Sequence, residues 1–237
     1  MSYYDGTNEV EYVKSFERSA VSTVLKNVYL WMTAALAISG LTAMFVAKSP
    51  VILSLIFANS FTMWGFFLAQ IALVWFISAR IHSLSIPTAV MLFTLYAVMM
   101  GVTLSSIFLA YTTASITNVF FITAGTFGAI SLYGYTTKRD LSSWRTILLM
   151  GLIGLIIASL VNYFLNSEML YWIISYVGVI VFVGLTAYDT QKIKQMALEV
   201  GTNEDAGKRV ALLGALVLYL DFINLFLYLL RIFGNRD

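Results

Sequence analysis

The amino-acid sequence predicts an all-α membrane protein with seven transmembrane helices, and three observations carry the prediction. Of 237 residues, 60% are hydrophobic and 11% are charged, about half the charge of a typical soluble domain. A bilayer core of about 30 Å needs roughly 20 apolar residues per helix, and seven segments reach that length, approximately 27–47, 62–80, 86–110, 115–136, 145–165, 169–189 and 210–231. The lysines and arginines, finally, gather in alternate connections between those segments.

In chain order, the first 25 residues, MSYYDGTNEVEYVKSFERSAVSTVL, carry four acids and no apolar core. They read as a short cytosolic tail rather than a cleaved signal peptide. Residues 1–26 are therefore expected to form a cytosolic N-terminal tail and 27–237 one seven-helix transmembrane domain. The stretch SPVILSLIFANS at 49–60 is too short to span and is expected to pack at the interface. No linker is long enough to divide the bundle, and no internal repeat is evident. With no cysteine, disulfides, thiolate metal sites and cysteine nucleophiles are excluded. The net charge of +2 gives no reason to expect a nucleic-acid partner; the lipid bilayer is the partner the composition demands.

Orientation follows from the basic residues. With the N-terminus inside, the cytosolic segments hold Lys14, Arg18, Lys26, Arg80, Lys138, Arg139, Arg145, Lys192, Lys194, Lys208 and Arg209, and the outer side holds Lys48, Arg231 and Arg236. Eleven against three predicts a cytosolic N-terminus and an external C-terminus. Small residues in GVTLSS at 101–106, GTFGAISLYG at 125–134 and GLIG at 151–154 recur at three- and four-residue spacing, which lets helix backbones approach closely in lipid. Packing alone accounts for them, so they do not separate a pore from a plain bundle.

The charges inside the membrane carry more information. LVLYLDFINLFLYLLRIF at 216–233 holds a single acid, Asp221. Counted from the start of the seventh segment, Asp221 lies roughly 16 Å in, near the bilayer midplane. An aspartate there costs about 2.5–3.5 kcal/mol to insert, so it should face the bundle interior and find partners. Gly214, Asp221, Asn224 and Tyr228 fall on one small-and-polar stripe of that helix, which should look inward. A second acid, Asp189 in VGLTAYDTQKIKQ, is placed at the cytosolic end of the sixth segment. It is open to two readings: a solvated helix-end carboxylate, or a partner for Asp221 should the seventh helix be central. Arg80, in WFISARIHSLS at the end of the second segment, is either a positive-inside anchor or a counter-ion for the two acids. His82 is the single histidine, too few for a metal site, and is assigned no role.

MMGVTLSSIFLAYT, GLTAYDTQKIK and LYLDFINLFLYLLRIFG, with seven short-looped spans, resemble the Bax inhibitor-1 (transmembrane Bax inhibitor motif) family, and more narrowly its bacterial membrane members. The resemblance runs from the first span to the C-terminus and is most specific in the last motif. It implies a central seventh helix wrapped by the other six and a pH-sensitive calcium leak, while the short tails and tight loops point to a bacterial plasma (inner) membrane. It implies also that Asp189 and Asp221 share a hydrogen bond as pH sensor and gate, with Arg80 engaging the pair as counter-ion.

Two carboxylates in contact and shielded from water cannot both ionise cheaply and tend to hold one proton between them. The outcome is a proton-dependent latch between two helices that needs no histidine. Calcium and protons are then the expected travellers. Calcium prefers six to eight oxygens, whereas Asp189, Asp221, Asn224, the hydroxyls of Tyr188 and Tyr228, carbonyls and water make only a loose contact, suited to an ion that must leave as readily as it enters. No tightly bound cofactor is expected. Two alternatives remain. Tyr188–Asp189 on one helix and an acid on the next also describe intramembrane aspartyl proteases, but those place Gly-x-Gly before the second acid, where this chain has LYLD, and they use a Pro-Ala-Leu motif that is absent here. The other is a non-conducting regulator that binds a membrane protease or stress-response partner whose identity the sequence does not reveal.

Overall fold

The computed structural model describes residues 6–57 and 59–235, with side chains for 19–55 and 59–235. Among the described residues every regular element is helical: α1 (Gly6–Ala47), α2 (Pro50–Phe57), α3 (Ser60–Arg80), α4 (Ile86–Leu104), α5 (Ile107–Ala110), α6 (Thr113–Thr136), α7 (Trp144–Leu165), α8 (Glu168–Val200) and α9 (Glu204–Phe233). Seven stretches are long and apolar enough to cross a bilayer: Ser19–Ala47, α3, Ile86–Ala110, α6, α7, α8 and α9. The boundary expected at 26/27 lies inside α1, where Val21, Val24 and Leu25 are already buried. Within the 49–60 stretch, Pro50–Phe57 form the short α2, which packs against α1 and α3.

Four helix starts carry the same side-chain cap. Ser85, Thr112, Ser167 and Asn203 each accept a hydrogen bond from the backbone N–H three residues on, satisfying donors that the first turn leaves orphaned. The third span is broken where two serines turn back on their own helix. Ser105 Oγ donates to the Val102 carbonyl (2.6 Å) and Ser106 Oγ to that of Thr103 (2.9 Å), a local competition that ends α4 and starts α5.

The last helix is central, as expected. In its most apolar window 72% of α9 is buried, against 11% for α3 and for α7. Helices α1, α4, α6 and α8 pack on it directly, while α3 lies against α4 and α7 against α8. The six other spans thus enclose α9 in an inner rank of four and an outer rank of two.

Two expected boundaries move. The sixth span does not end at Asp189; α8 continues to Val200. Lys192 is exposed, but Gln191, Ile193 and Ala197 stay buried, so the inner face of the helix remains covered after its outer face turns basic. The acidic stretch NEDAG, beyond the expected end of the sixth span and before the expected start of the seventh, forms the start of α9. Asn203 caps it, Glu204 and Asp205 occupy its first turn, where carboxylates favour the helix dipole, and Lys208 lies 3.6 Å from Glu204 and 3.9 Å from Asp205. Asp221 therefore stands 17 positions beyond the first residue of α9 rather than 11 beyond its start.

Of the small residues, Gly101 and Gly134 sit against a backbone carbonyl, of Ser39 and Ala187 respectively, and Gly151 sits against Val181. Gly125, Gly128 and Gly154 face open space. Only part of the expected small-residue pattern is helix contact.

Candidate functional site

Helices α8 and α9 run antiparallel and meet along the stripe anticipated on α9. Three levels of contact define the seam. At Gly214 a Cβ would lie 3.1 Å from the Ile193 side chain, and at Gly178 a Cβ would lie 2.6 Å from the Tyr228 ring. Between these two close approaches, Asp221 faces Asp189. The seven-residue spacing of Gly214, Asp221 and Tyr228 is two helical turns, which is why all three look at the same neighbour.

Asp221 is 5% exposed, and its Oδ2 is a buried atom that no protein donor reaches. The Asp189 carboxyl is the group in side-chain hydrogen-bond contact with it. Between two carboxyls such a contact is a hydrogen bond only when one of them carries a proton, since ionised carboxylates accept and do not donate. A single proton between the two carboxyls would join α8 to α9. Asp189 itself is partly exposed, so the pair has one buried member and one half-buried member.

The charges around it belong to α8 and α7. Lys192 acts on Asp189, and Tyr188 lies between the fields of Arg145 and Asp189. Arg80 does not join the pair. It is exposed at the end of α3, and among the described residues the ion pairs are those of Lys208 alone. The cation that does tie this end of α9 to the α3–α4 turn is Arg209. Its guanidinium donates to the Ile81 carbonyl (2.6 Å) and to that of Leu84. Such a clamp is invisible in sequence because its acceptors are backbone carbonyls.

The expected supporting residues divide. Asn224 Nδ2 donates to the Leu220 carbonyl of its own helix (2.8 Å), so it is spent on the backbone one turn from Asp221. Tyr228 lies two turns further along the seam, stacked on Phe182 at 5.7 Å, with its hydroxyl hydrogen-bonded to Ser159 of α7 and Arg231 over its ring at 5.2 Å. Only Tyr188, next to Asp189, stays close to the acids.

Two features escaped the sequence reading. Gln191, two residues beyond Asp189, accepts from the Leu141 N–H and donates to the Arg139 carbonyl, both at 2.8 Å, which fastens the α6–α7 connection to α8. Tyr219, two residues before Asp221 and so on the opposite face of α9, shares a 2.6 Å hydrogen bond with Ser39, whose hydroxyl also reaches the Ala97 carbonyl at 2.8 Å. The Tyr219 ring meets Phe93 and Tyr96 edge-on at 5.9 and 6.0 Å. One face of α9 is thereby locked to α1 and α4, and the other rests on the aspartate pair.

A bundle of seven spans around a buried helix, with a carboxyl pair on its central seam, defines a polytopic α-helical membrane protein with an intramembrane acidic site. The chain belongs to the Bax inhibitor-1 family: the family described as "Inhibitor of apoptosis-promoting Bax1" (Bax1-I) matches residues 21–237. It is similar to the inner membrane protein YbhL of Escherichia coli K12, with 53% identity over 220 residues, 92% of this chain and 94% of that protein. An uncharacterized protein of Borreliella burgdorferi is 47% identical over 212 residues, 90% of this chain and 91% of its own. Uncharacterized protein RP147 of Rickettsia prowazekii is 46% identical over 224 residues, 94% of this chain and 93% of its own.

Proposed function

We propose that this chain is a pH-sensitive calcium leak pathway of a bacterial inner membrane, N-terminus in the cytosol, in which the proton shared by Asp189 and Asp221 latches α8 to α9. The observation that carries the reading is the buried Asp221 carboxyl, whose Oδ2 no protein donor reaches, in contact with the carboxyl of Asp189. With the proton present, the two helices are joined across a dry seam. When it leaves, two negative charges face each other at low local dielectric, the contact turns repulsive and the seam loosens. Leak therefore rises as pH rises through the loss of that proton. Lys192, Tyr188 and Arg145 are the charged or titratable neighbours that tune the midpoint.

Calcium is cargo in this account. Two carboxyls fall short of the six to eight oxygens that a calcium ion prefers, and weak holding favours passage over storage. No nucleic acid, tightly held cofactor or catalytic step enters the account. Liposomes reconstituted with wild type and Asp221→Asn at equal protein content provide the test. Calcium entry should depend on pH in the wild type and lose that dependence in the variant, whose amide still hydrogen-bonds but does not titrate over this range. Unchanged pH dependence in the variant would exclude the pair as sensor. Cleavage of a reporter transmembrane peptide, abolished by the same substitution, would instead mark an aspartyl protease.

A further inference from the structure

We propose that the groove between α1 and α6 is a binding site for one anionic phospholipid, its phosphate at Lys26 and an acyl chain running inward past Gly128. Both helices pack on α8 and α9, but they stand apart from each other and leave a cavity of about 440 Å³. Ser22, Lys26 and Tyr29 present one face of α1 to it, at spacings of four and three; Gly128, Ser131 and Tyr135 present one face of α6, at three and four.

The two helices cross the groove in opposite directions, so its polar and apolar ends are defined. Ser22 and Lys26 lie near Ser19, where the first span begins, and Tyr135 lies one residue before Thr136, where α6 ends. This end is at the membrane boundary and holds the hydroxyls and the ammonium. Toward the bilayer interior the groove passes Tyr29 and Gly128. A Cβ at Gly128 would meet nothing within 4 Å, so the glycine leaves free width where a chain would lie.

Three further observations point to an anion with a lipid tail. Among the described residues no carboxylate bridges Lys26. Ser131 lines the groove, is 3% exposed, and its hydroxyl has no hydrogen-bond partner, the state of a polar group whose partner comes from outside the chain. The walls beside these groups are Leu25 and Leu132, which suit a hydrocarbon and offer nothing to a small soluble anion. At the rim, Lys194 donates to the Tyr135 carbonyl at 2.8 Å and lies 5.0 Å over the Tyr135 ring; it is engaged by the protein, which leaves Lys26 to meet the phosphate.

The test is native mass spectrometry of the full-length protein in detergent, titrated with palmitoyl-oleoyl phosphatidylglycerol, with phosphatidylcholine of the same chains, and with inorganic phosphate. One lysine near a membrane surface is worth roughly fivefold in affinity for an anionic lipid. The first phosphatidylglycerol should therefore bind about fivefold tighter than phosphatidylcholine, and Lys26→Gln should remove that preference. Gly128→Leu should weaken both lipids by filling the channel, and Ser131→Ala should weaken phosphatidylglycerol alone. Lys26 is exposed, so Lys26→Gln keeps the fold and decides the matter even where Gly128→Leu does not. Equal binding of the two lipids, or a preference that survives Lys26→Gln, would overturn the proposal. So would inorganic phosphate binding as tightly as phosphatidylglycerol, which would make this a site for a soluble anion.

Discussion

The two ends of the α8–α9 seam are closed by different physical means. Around Tyr228 the closure is ring packing: the tyrosine sits over Gly178, stacks on Phe182 at 5.7 Å and is covered by Arg231, which also lies over Tyr171 at 5.6 Å. Nothing there changes its charge between mildly acidic and neutral pH. Around Asp221 the closure is a carboxyl pair whose attraction depends on a single proton. Dispersion and stacking vary little with solution conditions, whereas a hydrogen bond between two acids becomes a repulsion on deprotonation. On the proposed function, the switch lies at the level of the seam whose contact can change sign.

The largest expected effect lies at the acidic end. Asp221→Asn should flatten the pH profile of calcium flux while leaving the protein folded, and Asp221→Leu should flatten it too or block the path, because both remove the titrating group. A profile of wild-type shape in Asp221→Asn would erase the distinction between the two ends.

At the packed end the response should be of the opposite kind. Tyr228→Ala deletes a ring that fills the space over Gly178 and should cost about 2–4 kcal/mol of stability, read as a lower thermal midpoint in detergent. The pH at which flux changes should stay in place. A shifted midpoint would mean that the two ends are one coupled unit.

Next is the tuning charge. Lys192→Gln removes the cation acting on Asp189, which disfavours the ionised pair and moves the flux midpoint to higher pH. Lys192 is exposed, so the shift should shrink as added salt screens the charge. Arg80→Gln should leave the midpoint where it is. Should Arg80 shift it and Lys192 not, the counter-ion assignment made from sequence would be restored.

The smallest effect belongs to the α6–α7 connection. Asp140 Oδ1 accepts from the Ser142 N–H at 2.9 Å, and that hydrogen bond holds its carboxyl below the usual aspartate value. A depressed folded-state value means that the contribution is present above the ordinary carboxylate range and is lost as pH falls through the depressed value. Asp140→Ala should remove this acid-side dependence, lowering the thermal midpoint slightly at neutral pH and leaving it unchanged at pH well below the depressed value.

The spans were legible in the sequence because a bilayer asks each helix for the same apolar run, and composition alone answers. Helix ends were less legible. Lys192 and Lys194 look like a basic loop in one dimension, yet Gln191, Ile193 and Ala197 before, between and beyond them are buried, and only the neighbouring helices show that α8 goes on. The stripe on α9 was readable, since Asp221 in an apolar run has to face inward. Its cation was not: Arg80, Lys192 and Arg209 are equivalent as letters, and the fold alone separates an exposed anchor, a neighbour of Asp189 and a clamp on two carbonyls. The Ser39–Tyr219 lock joins positions 180 apart, and neither residue stands out in its own segment.

Infrared difference spectroscopy of the reconstituted protein, titrated with alkali, tests the shared proton most directly. The account predicts a protonated-carboxyl band in the wild type that disappears over the same pH range in which calcium flux rises, and that is missing from Asp221→Asn. A wild-type protein with no such band at any pH where the seam is closed, or a band that persists while the flux rises, would contradict it.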